Sequence, residues 1–270
     1  MEPTRAPKTD PLALAPASAV IFDIDGVLEY QGKVFPRAVE TLERLRSHGL
    51  QIRFLTNSTL KSRASCAEKL RSRGFTAHDE EVVTASYATA AYLREQNAGS
   101  IWLMLEREAV DEFTGFQRDE EHPEYVVIGD NRSRFDFDHL NRALRLLAGG
   151  AALVGMSNEL IDASMGGLEL NVGSWAGMLE RASGKKAVYI GKPFPYGFNL
   201  AVRGLSCRSD EVLVVGDRLN TDVQGAKNCG MLSALVKTGE YQLTRLHQPI
   251  KPDWVLDDVS GLLNLFNLSE

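Results

Sequence analysis

Ala19-Val20-Ile21-Phe22-Asp23-Ile24-Asp25-Gly26 is the stretch on which the fold turns. Four apolar residues run straight into two carboxylates and a glycine. A strand covered on both faces reads as such an unbroken apolar run, and the polar stop marks where the chain leaves the sheet. Runs of the same kind recur at Gln51–Leu55, Ile101–Met104, Tyr125–Ile128, Ala151–Val154, Val188–Ile190, Val212–Val215 and Ser233–Val236. Helical periodicity fills the gaps. Pro36–Ser47 sets Val39, Leu42 and Leu45 on one stripe, opens on proline and closes on His48-Gly49, the asymmetry expected of a helix. Ser58–Ser72, Tyr87–Gln96, Phe137–Leu147, Ser174–Ala182, Pro195–Leu205 and Val259–Leu265 follow the same pattern. Strands alternating with helices predict an α/β fold, a doubly wound parallel sheet with helices on both faces. Alternation around Gly32, between Leu28 and Phe35, predicts a small hairpin after the first strand.

The middle of the chain, residues 97–186, carries strands and helices of its own and separates early polar signatures from late ones. It reads as an inserted smaller α/β domain, with 18–96 and 187–270 forming the core and 1–17 a flexible tail. A chain of 270 residues can bury about 73% of its unfolded surface, enough for a large core plus an insertion. Thirty basic against 36 acidic residues leave a net charge of −6, which disfavours nucleic acid and anionic lipid as partners. Any anionic ligand must then be held by local charge. Cys66, Cys207 and Cys229 form no Cys-x-x-Cys and cannot all pair, which fits a reducing, cytoplasmic setting and excludes a disulfide scaffold. No stretch approaches the roughly 20 apolar residues of a membrane helix. Ala15-Pro16-Ala17 mimics a signal-peptidase site, but the run before it is short and broken by Pro16, and Glu2 and Asp10 are acidic where a signal is basic.

Four polar signatures stand at the carboxyl ends of apolar runs: Asp23 and Asp25, Thr56 and Asn57, Lys192, and Asp217. Ligands of open α/β sheets bind in the crevice outside those ends, so parallel neighbours would bring these groups together. Asp23, Asp25 and Asp217 offer hard oxygen ligands, which suit Mg²⁺ rather than zinc. An aspartate can attack phosphorus and split one difficult displacement into two easier ones. The transferring phosphoryl group needs a cation and hydrogen-bond donors, roles open to Lys192, the Thr56 hydroxyl and the amides following Asp25 and Asn57, the last being that of Ser58. A second carboxylate two residues after the nucleophile can carry a proton to the leaving group and from water.

Asp23-Ile24-Asp25-Gly26-Val27-Leu28, Leu55-Thr56-Asn57, Gly191-Lys192-Pro193 and Gly216-Asp217-Arg218-Leu219-Asn220-Thr221-Asp222 resemble, in order, the four motifs of haloacid dehalogenase-like hydrolases. The Gly-Asp-Arg-Leu-x-Thr-Asp form, with an insertion between the second and third motifs, is similar to the type IIA branch, which includes 4-nitrophenyl, pyridoxal phosphate and phosphoglycolate phosphatases and NagD-like nucleotide phosphatases. The resemblance spans about residues 19 to 265. It implies a Rossmann-like core with an inserted cap, and a small-molecule phosphate ester as substrate. It implies Asp23 as nucleophile, Asp25 as acid and base, and Thr56 and Lys192 on the phosphoryl group. Mg²⁺ would be held by Asp23, the Asp25 carbonyl and Asp217, with Asp222 a second carboxylate on the metal's waters. The hairpin after Asp25 would shield the site. A homodimer is compatible with it. Asn57-Ser58 stands where many relatives carry Asn-Asn or Asn-Tyr, and the segment Met165–Asn171 follows no pattern that names a substrate.

Each signal alone is weak. Asp136-Phe137-Asp138 also matches Asp-x-Asp, yet follows no apolar run, and its Asp138 reads as opening a helix. Thr56-Asn57 could be an ordinary helix cap, and Lys192 a solvated loop lysine. Asp222 could simply complement a helix dipole. Four such coincidences in one order, each at a strand end, are a different matter. The rivals are a phosphomutase or phosphotransferase using the same aspartyl-phosphate, and a phosphate-ester sensor; Asp25 has no purpose in a domain that must keep its phosphate. The five histidines share no metal-ligand spacing, and no Gly-x-Ser-x-Gly elbow exists, since Gly155-Met156-Ser157-Asn158-Glu159 ends in Glu.

Overall fold

The opening run forms β1 (Ala19–Phe22), all four residues buried, and leads into a small hairpin of β2 (Glu29–Tyr30) and β3 (Lys33–Val34). The computed structural model describes residues 17–162, 167–241 and 250–268, so the expected tail lies outside it except for Ala17. Next come α1 (Ala38–Ser47), β4 (Gln51–Thr56), α2 (Arg63–Ser72), β5 (Val82–Thr84) and α3 (Ala85–Glu95). A second sheet then assembles from β6 (Ser100–Met104), β7 (Gln117–Arg118), β8 (Tyr125–Ile128), α4 (Phe137–Ala148), β9 (Ala152–Gly155), a hairpin of β10 (Ile161–Asp162) and β11 (Glu169–Leu170), α5 (Val172–Ser183) and β12 (Ala187–Tyr189). The chain returns through α6 (Pro195–Val202), β13 (Val212–Gly216), α7 (Gln224–Asn228), β14 (Leu232–Val236), β15 (Trp254–Leu256) and α8 (Gly261–Leu265).

The first sheet is parallel, in the order β15-β14-β13-β1-β4-β5. From β1 the chain steps outward one way to β4 and β5, and from β13 it steps the other way. The strand order therefore switches between β1 and β13, where an open α/β sheet leaves a crevice at its carboxyl edge. Side chains alternate across the sheet. Val20 and Phe22 pack with Leu42 and Leu45 of α1, Leu70 of α2 and Leu262 of α8. Ala19 and Ile21 face the other way, toward Ala88 and Leu93 of α3 and Phe198 of α6.

That second apolar layer also contains Ile101, Val127 and Val154 from the other sheet. The second sheet, parallel in the order β12-β9-β8-β6-β7, buries its opposite face under α4 and α5 through Trp102, Val126, Leu153 and Leu179. One continuous layer thus joins the two sheets. The architecture is the α/β fold with parallel sheets that the alternating pattern predicts.

Several elements differ from expectation. The helix expected from Ser58 starts at Arg63, because Ser62 takes the cap position and its hydroxyl accepts from the Ser65 amide at 3.1 Å. Asp136, not Asp138, caps α4, accepting from the His139 amide at 2.9 Å. The edge strands β5 and β15 are only three residues long, too short for a periodic signal. The run expected at Val188–Ile190 forms β12, which pairs with β9 in the second sheet. The chain therefore crosses back to the first sheet after Tyr189 rather than at 187, since an apolar run does not say which sheet it joins.

Candidate active site

Phe22 and Val215 pair across the switch point, so Asp23 and Asp217 leave neighbouring strands side by side. The Asp23 amide donates to the Val215 carbonyl at 2.9 Å, which carries the pairing one residue beyond the strand. Asp23 Oδ1 accepts from the Ile24 amide at 2.8 Å and from Lys192 Nζ at 2.8 Å. Lys192 Nζ lies 2.7 Å from Asp222 Oδ1 as well. All three groups are buried, the Lys192 side chain being 3% exposed and that of Asp222 1%. Burial alone would drive the Lys192 proton off, but Asp222 and Asp23 outweigh it and hold the ammonium charged.

Asp23, Asp217 and Asp222 each bring one carboxylate oxygen within 4.8 Å of the others. Asp217 Oδ2 accepts from the Glu240 amide at 2.6 Å, while its Oδ1 is buried with no hydrogen-bond partner. A buried oxygen left unpaired in an anionic cluster calls for an explanation, and a divalent cation supplies one. Burial pushes Asp23 up to about 7 against the pull of Lys192, with Asp222 and Asp25 adding to the rise. Burial likewise holds Asp217 well above the usual carboxylate range, reinforced by Asp23 and Asp222. The donor set is hard, anionic and short of positive charge, which fits Mg²⁺.

The other expected residues take distinct places. Asp25 turns away from the cluster toward the pocket mouth, its side chain 54% exposed and Oδ1 3.7 Å from Lys69 Nζ. Thr56, buried at the end of β4, accepts the Ser58 amide at 3.1 Å through its hydroxyl oxygen, and Ser58 lines the pocket beside it. The Asn57 side chain acts as a staple. Its Oδ1 accepts the Lys192 amide at 2.7 Å and its Nδ2 donates to the Lys192 carbonyl at 3.0 Å and to Glu159 Oε2 at 2.7 Å. That pairing joins the strand end at Thr56 to the loop after β12, so Lys192 reaches the site although its strand belongs to the other sheet. Asp222 sits in a π-turn, Leu219–Val223, where its own amide and that of Val223 share the Arg218 carbonyl. Such wide turns re-aim side chains at functional sites.

Two family models match the chain: a haloacid dehalogenase-like hydrolase over residues 20–117 and a HAD-hydrolase-like model over 189–262. The haloacid dehalogenase-like hydrolase domain-containing protein 2 of Rattus norvegicus is 38% identical over 224 residues, covering 83% of this chain and 85% of that protein. The chain belongs to the haloacid dehalogenase-like hydrolases. The phospholysine phosphohistidine inorganic pyrophosphate phosphatase of Homo sapiens is 31% identical, covering 93% of this chain and 95% of the relative. Among solved structures, a p-nitrophenyl phosphatase from Archaeoglobus fulgidus superposes with a TM-score of 0.86 at 28% identity, covering 92% of this chain and 98% of the other. NagD from Escherichia coli K-12 superposes at 0.82 and 28% identity, covering 91% and 98%. These similarities put the chain in the type IIA branch of the haloacid dehalogenase-like hydrolases.

In this haloacid dehalogenase-like hydrolase the pocket, about 300 Å³, has walls that sequence reasoning missed. Arg107, Asp130, Arg132, Glu159 and Asp162, from the segment that builds the second sheet, face the motif residues across it. Asn171, whose segment the sequence already placed within reach of a substrate, lines the pocket too and caps α5. Trp175, nearby in α5, is core, its indole donating to the Gly129 carbonyl at 3.3 Å. The segment Met165–Asn171 is described only from residue 167 onward. Gly239 was also missed, though it follows a strand end next to the switch point. With φ +58°, it leaves room that a Cβ would fill, 2.3 Å from both Asp217 Oδ2 and the Gly26 Cα. Gly239→Ala is therefore expected to push Asp217 out of the carboxylate cluster. Isothermal titration should show at least about tenfold weaker Mg²⁺ affinity, the scale of a disturbed outer contact to a metal ligand; unchanged affinity would refute the cradle. No helix among the described residues is long and apolar enough to cross a membrane.

Proposed function

We propose that this hydrolase is a Mg²⁺-dependent phosphatase that cleaves a small-molecule phosphate monoester through an aspartyl-phosphate on Asp23. The observation that carries the proposal is the arrangement around Lys192. One ammonium lies 2.8 Å from Asp23 and 2.7 Å from Asp222, beside the unpaired oxygen of Asp217. The phosphatase names of the relatives support the same chemistry.

Asp23 and Asp217 would hold Mg²⁺, with the Asp25 carbonyl, while Asp222, the third carboxylate of the cluster, would meet the metal's waters. Bound there, the ion neutralises charge on the phosphoryl oxygens. The protein's own groups do the rest. A carboxylate oxygen of Asp23 forms the bond to phosphorus as the bond to the ester oxygen breaks. Asp25, open to the pocket, gives that oxygen its proton, and the alcohol departs. Water then attacks phosphorus, Asp25 takes its proton, and inorganic phosphate leaves as Asp23 is restored. Lys192 keeps Asp23 aimed and offsets phosphoryl charge, and Thr56, whose oxygen already accepts from Ser58, has its hydroxyl proton left to donate. The second-sheet module, residues 97 to about 189, serves as the cap that excludes water and meets the leaving group.

Hydrolysis of p-nitrophenyl phosphate in the presence of EDTA, then with Mg²⁺ restored, tests the metal requirement. Turnover should vanish and return. Full turnover with every divalent ion chelated would defeat the proposal.

A further inference from the structure

We infer that the pocket selects phosphate monoesters whose leaving group is neutral or cationic, and rejects those whose leaving group carries a carboxylate or a second phosphate. The inference rests on the phosphatase reading and extends it to the rest of the substrate. Beyond the phosphoryl-binding motifs, the wall contains cations that would normally attract an anionic leaving group. Two of them are already claimed by carboxylates.

Arg218 Nη1 forms an ion pair with Glu159 Oε1 and stands 3.4 Å from Glu240 Oε2. The Arg218 side chain is 20% exposed, and those of Glu159 and Glu240 are 6% and 9%. Glu159 is held from its other side by the Asn57 amide at 2.7 Å, so swinging away would cost it that hydrogen bond as well as the Arg218 pair. Arg132 is held the same way: Nε 3.1 Å from Asp130 Oδ2, Nη2 3.7 Å from Asp162 Oδ2, and Nη1 2.5 Å from Glu169 Oε2. Arg107, paired with Glu106 at 4.0 Å, is 63% exposed and well screened by solvent. Four acids (Asp130, Glu159, Asp162, Glu240) therefore line this half of the pocket against three arginines.

An anionic leaving group would have to displace a partly buried carboxylate or sit beside it unpaired, and both cost free energy. A hydroxyl or an ammonium finds acceptors instead. Selectivity here comes from repulsion by fixed acids as much as from attraction.

The test compares kcat/KM for glycerol 1-phosphate, phosphoethanolamine and phosphoglycolate in the wild type, in Glu159→Gln and in Glu240→Gln, with Mg²⁺ saturating. Gln at 159 can still accept from Asn57, and the Glu240 amide that holds Asp217 is backbone, so neither substitution removes the site's supports. In the wild type phosphoglycolate should be turned over about tenfold or more less efficiently than the other two, the scale of one partly desolvated charge interaction. In each variant the ratio of phosphoglycolate to glycerol 1-phosphate should rise by about the same factor. A wild type that prefers phosphoglycolate, or a ratio unmoved by both substitutions, would overturn the inference. Absence of hydrolysis of all three esters and of p-nitrophenyl phosphate would instead strike the phosphatase reading itself.

Discussion

Asp23→Asn is expected to abolish hydrolysis of p-nitrophenyl phosphate, with kcat lower by about 10⁴-fold or more, as when a covalent nucleophile is removed. The replacement keeps the size of the side chain and leaves the carbonyl oxygen able to accept from the Ile24 amide and Lys192, both now at 2.8 Å. What it lacks is the negative oxygen that attacks phosphorus. The same variant reports on the electrostatics. Asp23 titrates near 3.8 when exposed and is pushed up to about 7 in the folded chain, mainly by burial. A carboxylate whose pKa rises on folding stabilises the fold fully below its unfolded value, and that contribution is lost as pH climbs through the folded one. In EDTA, then, the wild type should lose stability relative to Asp23→Asn between about pH 4 and pH 7, a window set by those two pKa values. Thermal melts at pH 5 and pH 8 measure it. A retained kcat would remove Asp23 from the chemistry, and parallel melts would remove it from the linkage.

Lys192→Met has the second large effect, and it falls on stability and turnover together. The ammonium is the shared partner of two buried carboxylates, at 2.8 Å from Asp23 and 2.7 Å from Asp222. Taking out one member of a buried ionic group leaves uncompensated charge and typically costs about 3–5 kcal/mol. Urea unfolding in EDTA at pH 7.5 should show a loss on that scale. Adding Asp222→Asn removes one stranded carboxylate and should restore part of the stability while leaving the enzyme inactive. If the single variant lost less than about 1 kcal/mol, the surface-pair range, the triad would not be the buried unit the distances describe.

Much of this site could be read along the chain because its signals are local. Val20 and Phe22 alternate with Ala19 and Ile21 across one strand, and the switch to Asp23 marks the strand's end within a single peptide unit. The helix stripes, the hairpin around Gly32 and the order of the four motifs share that property: neighbours in sequence set them. Ser58 marks the limit of local reading. Helical period continued back through it, but the Ser62 hydroxyl fixes where the helix starts, leaving 58–60 to line the pocket.

What the amino-acid sequence determined by itself was the α/β class and the strand ends at which Asp23, Thr56 and Asp217 come together. Each depends on backbone geometry repeating every two or 3.6 residues. Only the tertiary structure decided that β12 joins the second sheet, that Asn57 carries Lys192 across to Asp23, and that Glu159 and Glu240 occupy Arg218. The last two are contacts between residues 22 to 135 positions apart, made by single polar and charged side chains through hydrogen bonds and ion pairs, and a lone polar partner leaves no periodic trace in the chain.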